Sequence, residues 1–191
     1  MTTIQIDRML IGVVVATLLL LAAQRIGAQS SSAQVTINLR FLPVQTISVK
    51  STEKVIDLLY ATTENYENGV SVTHDDHLSV FSSGGFQVAV ETTDANFTHN
   101  GGAETIPVGD VVVRADNGSS NNQMAQFTDA ALSTSPSPLI SSINGGNDLA
   151  YTVTYDNTDA GSGQKYINRY LNNDQLETQY TATVIYSITA K

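Results

Sequence analysis

Tyr180-Thr181-Ala182-Thr183-Val184-Ile185-Tyr186-Ser187-Ile188-Thr189 decides the fold class. Tyr180, Ala182, Val184, Tyr186 and Ile188 occupy one face of this stretch, and Thr181, Thr183, Ile185, Ser187 and Thr189 the other. Strict alternation rich in β-branched and aromatic residues is the signature of a strand with one face toward a core. The same period recurs upstream. Leu149, Tyr151, Val153 and Tyr155 form a stripe against Thr152 and Thr154. Shorter alternating pieces carry Leu78 and Val80; Phe86, Val88 and Val90; Val111 and Val113; and Ile47 and Val49 after Pro43. Val35, Ile37, Leu39 and Phe41, opposite Thr36, Asn38 and Arg40, predict a first strand over 35–41.

Between these runs lie turn formers: Glu67-Asn68-Gly69, Ser83-Gly84-Gly85, Asn100-Gly101-Gly102, Asn117-Gly118, Asn144-Gly145-Gly146 and Gly161-Ser162-Gly163. Asn and Gly tolerate the positive φ of hairpin-type turns. Seven to nine strands with one apolar face each must bury it against a second sheet. The expected fold is therefore all-β, a two-layer antiparallel β-sandwich of Ig-like or Greek-key type. No sustained helical period appears. Gln123 to Leu132 reads as a short helix or an extended edge segment, and Lys165 to Asn173 has room for one helical turn.

The start of the chain reads as an address. Arg8 precedes an uncharged apolar run, Met9 to Ala23, which ends in Gln24-Arg25-Ile26-Gly27-Ala28 before a polar serine stretch. A basic start, a short apolar middle and a small-residue exit describe a secretory signal peptide in helical form. The run is short of the roughly 20 apolar residues a membrane span needs. Cleavage is expected after Ala28, with Ala33 as a second site, so no stable span persists. The expected organisation is 1–28 signal peptide, 29–34 flexible lead and 35–191 a single β-sandwich domain. The localisation this implies is secreted, at the cell surface or outside it, with the periplasm open.

Composition removes whole classes of function. The 191 residues include 9 Lys and Arg against 18 Asp and Glu, a net charge of −9. Loss of 1–28 takes away Arg8, Arg25 and Asp7 and makes the balance −10. Such a chain has no electrostatic footprint for a phosphate backbone, which argues against a nucleic-acid partner. With no cysteine there is no disulfide framework, thiolate zinc site or cysteine nucleophile. Neither a Gly-x-Ser-x-Gly elbow nor a phosphate loop is present, so an enzyme is not expected, and no cofactor is implied.

Two clusters invite a metal reading. His74-Asp75-Asp76-His77 gathers imidazoles and carboxylates, but neighbours on an extended strand point to opposite faces. No third or fourth ligand is evident, so a solvated hairpin turn between Val70-Ser71-Val72 and Leu78-Ser79-Val80 is expected there. Asp156-Asn157-Thr158-Asp159-Ala160-Gly161 lacks the fifth- and twelfth-position ligands of a helix–loop–helix calcium site and reads as an Asx-rich turn. No metal site is expected. Six of eight tyrosines fall in the last 41 residues. Tyr151, Tyr155, Tyr180 and Tyr186 alternate with apolar residues and should face the core. Tyr166 and Tyr170 lie off any stripe and are the residues expected to form a binding surface if the protein has one.

Leu39 to Val49, Asn65 to Val70, His77 to Val88 and the closing Tyr180 to Thr189 together give a layout of spaced strands and turns over most of 35–190. It resembles small secreted β-sandwich surface proteins of Bacteroidota-type bacteria and, more distantly, the WxL-type surface domains of Gram-positive bacteria. The chain has no tryptophan, so the Trp-x-Leu motif of the latter is missing. The resemblance implies a structural or adhesive role at the cell surface and carries over no functional residue. Two expectations follow: a non-enzymatic subunit of a surface assembly, or a module binding cell-wall or extracellular glycans. In the first, partners are copies of itself or other surface proteins, joined when 35–41 or 180–189 adds to a sheet edge.

Overall fold

A computed structural model describes residues 31–99, 103–121, 125–169 and 177–191. The signal-peptide reading of 1–28 lies outside them. The chain divides into a leading segment through Arg40 and a domain from Phe41 to Lys191. The domain is all-β, and its strands lie in antiparallel sheets.

Among the described residues eleven strands run β1 (Gln45–Val49), β2 (Ser71–Ser82), β3 (Phe86–Thr92), β4 (Asn96–Thr98), β5 (Thr105–Pro107), β6 (Val112–Asn117), β7 (Gln126–Phe127), β8 (Ala130–Ala131), β9 (Ser137–Ser142), β10 (Gly146–Asp156) and β11 (Val184–Ala190). One layer has the order β1-β2-β10-β6-β8, the other β11-β3-β9-β7, and β4-β5 form a separate pair. The count exceeds seven to nine because β4, β5, β7 and β8 are pieces of two or three residues.

Alternation places the core. Leu78 and Val80 of β2, Val113 of β6, and Leu149, Tyr151, Val153 and Tyr155 of β10 face inward from the first layer. Phe86, Val88 and Val90 of β3 and Ile140 of β9 answer from the second, and Ala182, Val184, Tyr186 and Ile188 pack against the same cluster. The β11 strand begins later than its alternation suggests, because Thr181 pairs instead with Thr98.

The Gly-Gly turns behave differently from hairpins. Ser83-Gly84-Gly85 joins β2 to β3 and Asn144-Gly145-Gly146 joins β9 to β10, so each carries the chain from one layer to the other. Both are fastened alike: the buried Ser82 hydroxyl donates to the Gly84 carbonyl at 2.7 Å, and the buried Ser142 hydroxyl to the Asn144 carbonyl at 2.8 Å.

Three local expectations are corrected. The segment 35–41 is not a strand; 31–44 form no regular structure. Among the described residues the one α-helix is α1 (Thr63–Asn68), which carries no apolar period because none of its residues is buried. A capping box makes it instead, with Thr62 and Asn65 satisfying each other's backbone amides. The described part of 165–173 forms turns rather than a helical turn, and 125–132 is the extended alternative, carrying β7 and β8.

Tyr151 is fully buried, and its hydroxyl has no hydrogen-bond partner among the described residues. Burial pushes this phenol up to about 12. An unpaired buried hydroxyl forfeits its hydration without recompense. Tyr151→Phe is therefore expected to raise stability by about 1 kcal/mol, read from the urea midpoint. A lower midpoint would mean that the hydroxyl does have a partner.

Candidate functional site

Two features stand apart from the ordinary packing. The first lies on β2. Here Leu78 pairs with Tyr151 and His74 with Val153, so Asp75, Asp76 and His77 stand opposite Thr152 alone. This is a β-bulge, and Asp76 takes its positive φ of 52°. The bulge turns His77 inward beside Leu78, where both are buried. His74 and His77 thus share a side of the strand, their rings 5.4 Å apart.

The expected hairpin turn at 74–77 is absent; β2 runs unbroken through it. The four residues separate by role. Asp76 reaches away to Ser119, accepting from its amide and hydroxyl at 2.7 Å each. Those bonds hold its carboxyl below the usual range. Glu53, which no motif pointed to, comes to the two histidines from the segment after β1. Its Oε2 lies 3.3 Å from His77 Nδ1 and 3.6 Å from His74 Nδ1, while Lys50 Nζ holds Oε1 at 3.0 Å.

Behind His77 the contacts cross the sandwich. His77 Nε2 is 3.0 Å from Tyr155 Oη, which is 2.7 Å from Tyr186 Oη of the opposite layer. Burial pushes both phenols up and draws the His77 imidazole down, the latter against the pull of Glu53. His77 thus stands at the end of a buried hydroxyl chain.

Tyr166 is corrected by the structure. It is only 7% exposed, stacked edge-on against Tyr60 at 5.3 Å, and its hydroxyl donates to Asp110 at 2.7 Å. A ring so enclosed offers no platform to a sugar. Tyr170 lies outside the described residues. Tyr151 and Tyr155 are buried as alternation required, and Tyr180 and Tyr186 are partly so. The loop after β10 is the Asx turn expected: Asp156 accepts from the Thr158 amide at 2.8 Å and hydroxyl at 2.6 Å, and it also pairs with Arg114.

The second feature is the run 35–41, which ends the leading segment and enters the domain at Phe41. Val35, Ile37, Leu39 and Phe41 are 85%, 82%, 81% and 89% exposed. Alternating large apolar residues in open solvent are an unfilled strand pattern. In the domain, β11 is a seven-residue edge strand, Val-Ile-Tyr-Ser-Ile-Thr-Ala, without charge or proline. The other edges of the two layers are β1 with five residues and β7 and β8 with two each, and the separate β4-β5 pair has three residues a strand. Natural sheets normally guard long edges with charge, proline or brevity.

No protein family matches the chain, and no curated protein is similar to it in sequence. Among the described residues no helix is long and apolar enough to cross a membrane.

Proposed function

We propose that the protein is an exported, non-enzymatic structural or adhesive component of a surface assembly, in which residues 35–41 of one copy pair with the β11 edge of the next. The observation that carries this reading is the exposure of Val35, Ile37, Leu39 and Phe41 on alternating positions. A strand with nothing to pair with costs little while solvated, and gains both main-chain bonds and apolar burial when it meets an open edge. The lengths agree: seven residues at about 3.3 Å each span the seven of β11. The absence of guarding residues on β11 supports the same edge. A glycan-binding role loses its main support with the burial of Tyr166.

The test uses the full chain expressed for export. Linear oligomers are expected in sedimentation and electron microscopy, and an I37D/L39D double variant should remain monomeric with unchanged circular dichroism. Because the chain has no cysteine, Asn38→Cys with Ser187→Cys, the centres of the two segments, should give an oxidised ladder. A wild-type chain that stays monomeric at high concentration, with no filaments on cells, would overturn the proposal.

A further inference from the structure

We propose that Glu53, His74 and His77 form a binding site for one divalent transition-metal ion of the zinc class. The inference is independent of strand addition. One ligand atom from each of the three residues lies within 4.8 Å of the other two. The Glu53 Oε2 distances of 3.3 Å and 3.6 Å to the two Nδ1 atoms carry the argument. At 3.6 Å the His74 contact is too long for a hydrogen bond. Yet two ligands bound at about 2.0–2.1 Å in tetrahedral geometry stand about 3.3–3.4 Å apart. Both Glu53 contacts are near the spacing of two ligands on a shared ion, and the 3.6 Å one is not that of a hydrogen-bonded pair.

The surroundings suit that reading. Imidazole with carboxylate is a donor set for zinc and its neighbours, whereas calcium and magnesium require oxygen throughout. Tyr155 Oη, 3.0 Å from His77 Nε2, can accept that nitrogen's proton and leave the Nδ1 lone pair toward Glu53. Two acceptors then face one another at 3.3 Å, an arrangement that a cation between them makes favourable. Tyr155 thus plays the outer-shell part that metal-binding histidines normally require, and Lys50 orients the carboxylate by its other oxygen. His77 is buried while His74 and Glu53 keep side-chain exposures of 21% and 19%, so the fourth position opens to water. The ion would tie the segment after β1 to the bulge of β2.

The full chain, stripped with EDTA, is titrated with Zn2+ against a chromophoric chelator, and with Co2+ for its visible absorption. One equivalent per chain is expected, with the intense bands of a four-coordinate site. A hundredfold excess over Kd should raise Tm by about 5–10 °C. Glu53→Gln and His74→Asn, both on partly exposed residues, should each weaken binding at least tenfold. Tyr155→Phe should weaken it by about tenfold or more with all three ligands in place. His99→Asn should bind as wild type. Absence of saturable binding would overturn the proposal. So would affinity unchanged in both Glu53→Gln and His74→Asn, or loss in His99→Asn.

Discussion

Replacing Gly69 with alanine is expected to cost about 3–5 kcal/mol of stability, enough to leave much of the chain unfolded at 37 °C. Gly69 closes α1 with φ 74° and ψ −174°, a region that is essentially closed to residues with a side chain. Space is lacking as well. A Cβ there would stand 2.5 Å from the Asn157 carbonyl oxygen and from Thr158 Cα, both backbone atoms of the loop after β10. Neither can swing away as a side-chain tip would. Two glycines separate the causes. Gly163 has φ 63° but open space, so its alanine variant should show backbone strain alone, about 1 kcal/mol. Gly84 has neither and should be close to neutral. Urea unfolding followed by circular dichroism ranks the three. Equal losses at Gly69 and Gly163 would remove steric contact from the explanation.

The second large effect is expected at Asn157, which is 3% exposed and joins three parts of the domain. Its Oδ1 accepts from the Tyr60 hydroxyl, before α1. Its Nδ2 donates to the Asp110 carbonyl at 2.7 Å, ahead of β6, and to Tyr166 Oη at 3.2 Å. Asn157→Ala would leave the Tyr60 hydroxyl and the Asp110 carbonyl without these partners. At about 1–3 kcal/mol for each of these two polar groups left unmatched, a loss of about 2–6 kcal/mol follows. Asn157→Asp is the informative comparison. It keeps the acceptor for Tyr60 but loses the donors and sets a carboxylate near Asp110, so it should recover little. A loss under about 1 kcal/mol in the alanine variant would show that water replaces the amide, and that the three segments are held by other contacts.

This loop also shows where reading a sequence stops. The Asx-turn character of 156–161 was legible because Asp and Thr bond within their own few residues. That Asn157 should receive Tyr60, 97 positions away, was not. The same division runs through the site on β2. His74 and His77 are three apart, and on a regular strand such residues face opposite ways. Their convergence requires the bulge at 75–77, and Asp76, a residue tolerant of positive φ, was the one local sign of it. Glu53 left no sign at all, since its position depends on how the segment after β1 returns to β2.

What the amino-acid order determined unaided was periodic and local: an all-β chain, the inward stripes of β2, β3, β10 and β11, and the turns between them. Side chains on a pleated strand alternate whatever the strand packs against, so one face is declared before any partner is known. What the tertiary structure alone decided was pairing and enclosure. Two Gly-Gly turns cross between layers instead of closing hairpins, and Tyr166 lies buried. The pattern at 35–41 finds no strand of its own, whereas the similar pattern in β11 is paired with β3. Alternation states that a strand has an apolar face; which sheet accepts it depends on neighbours that lie far off along the chain.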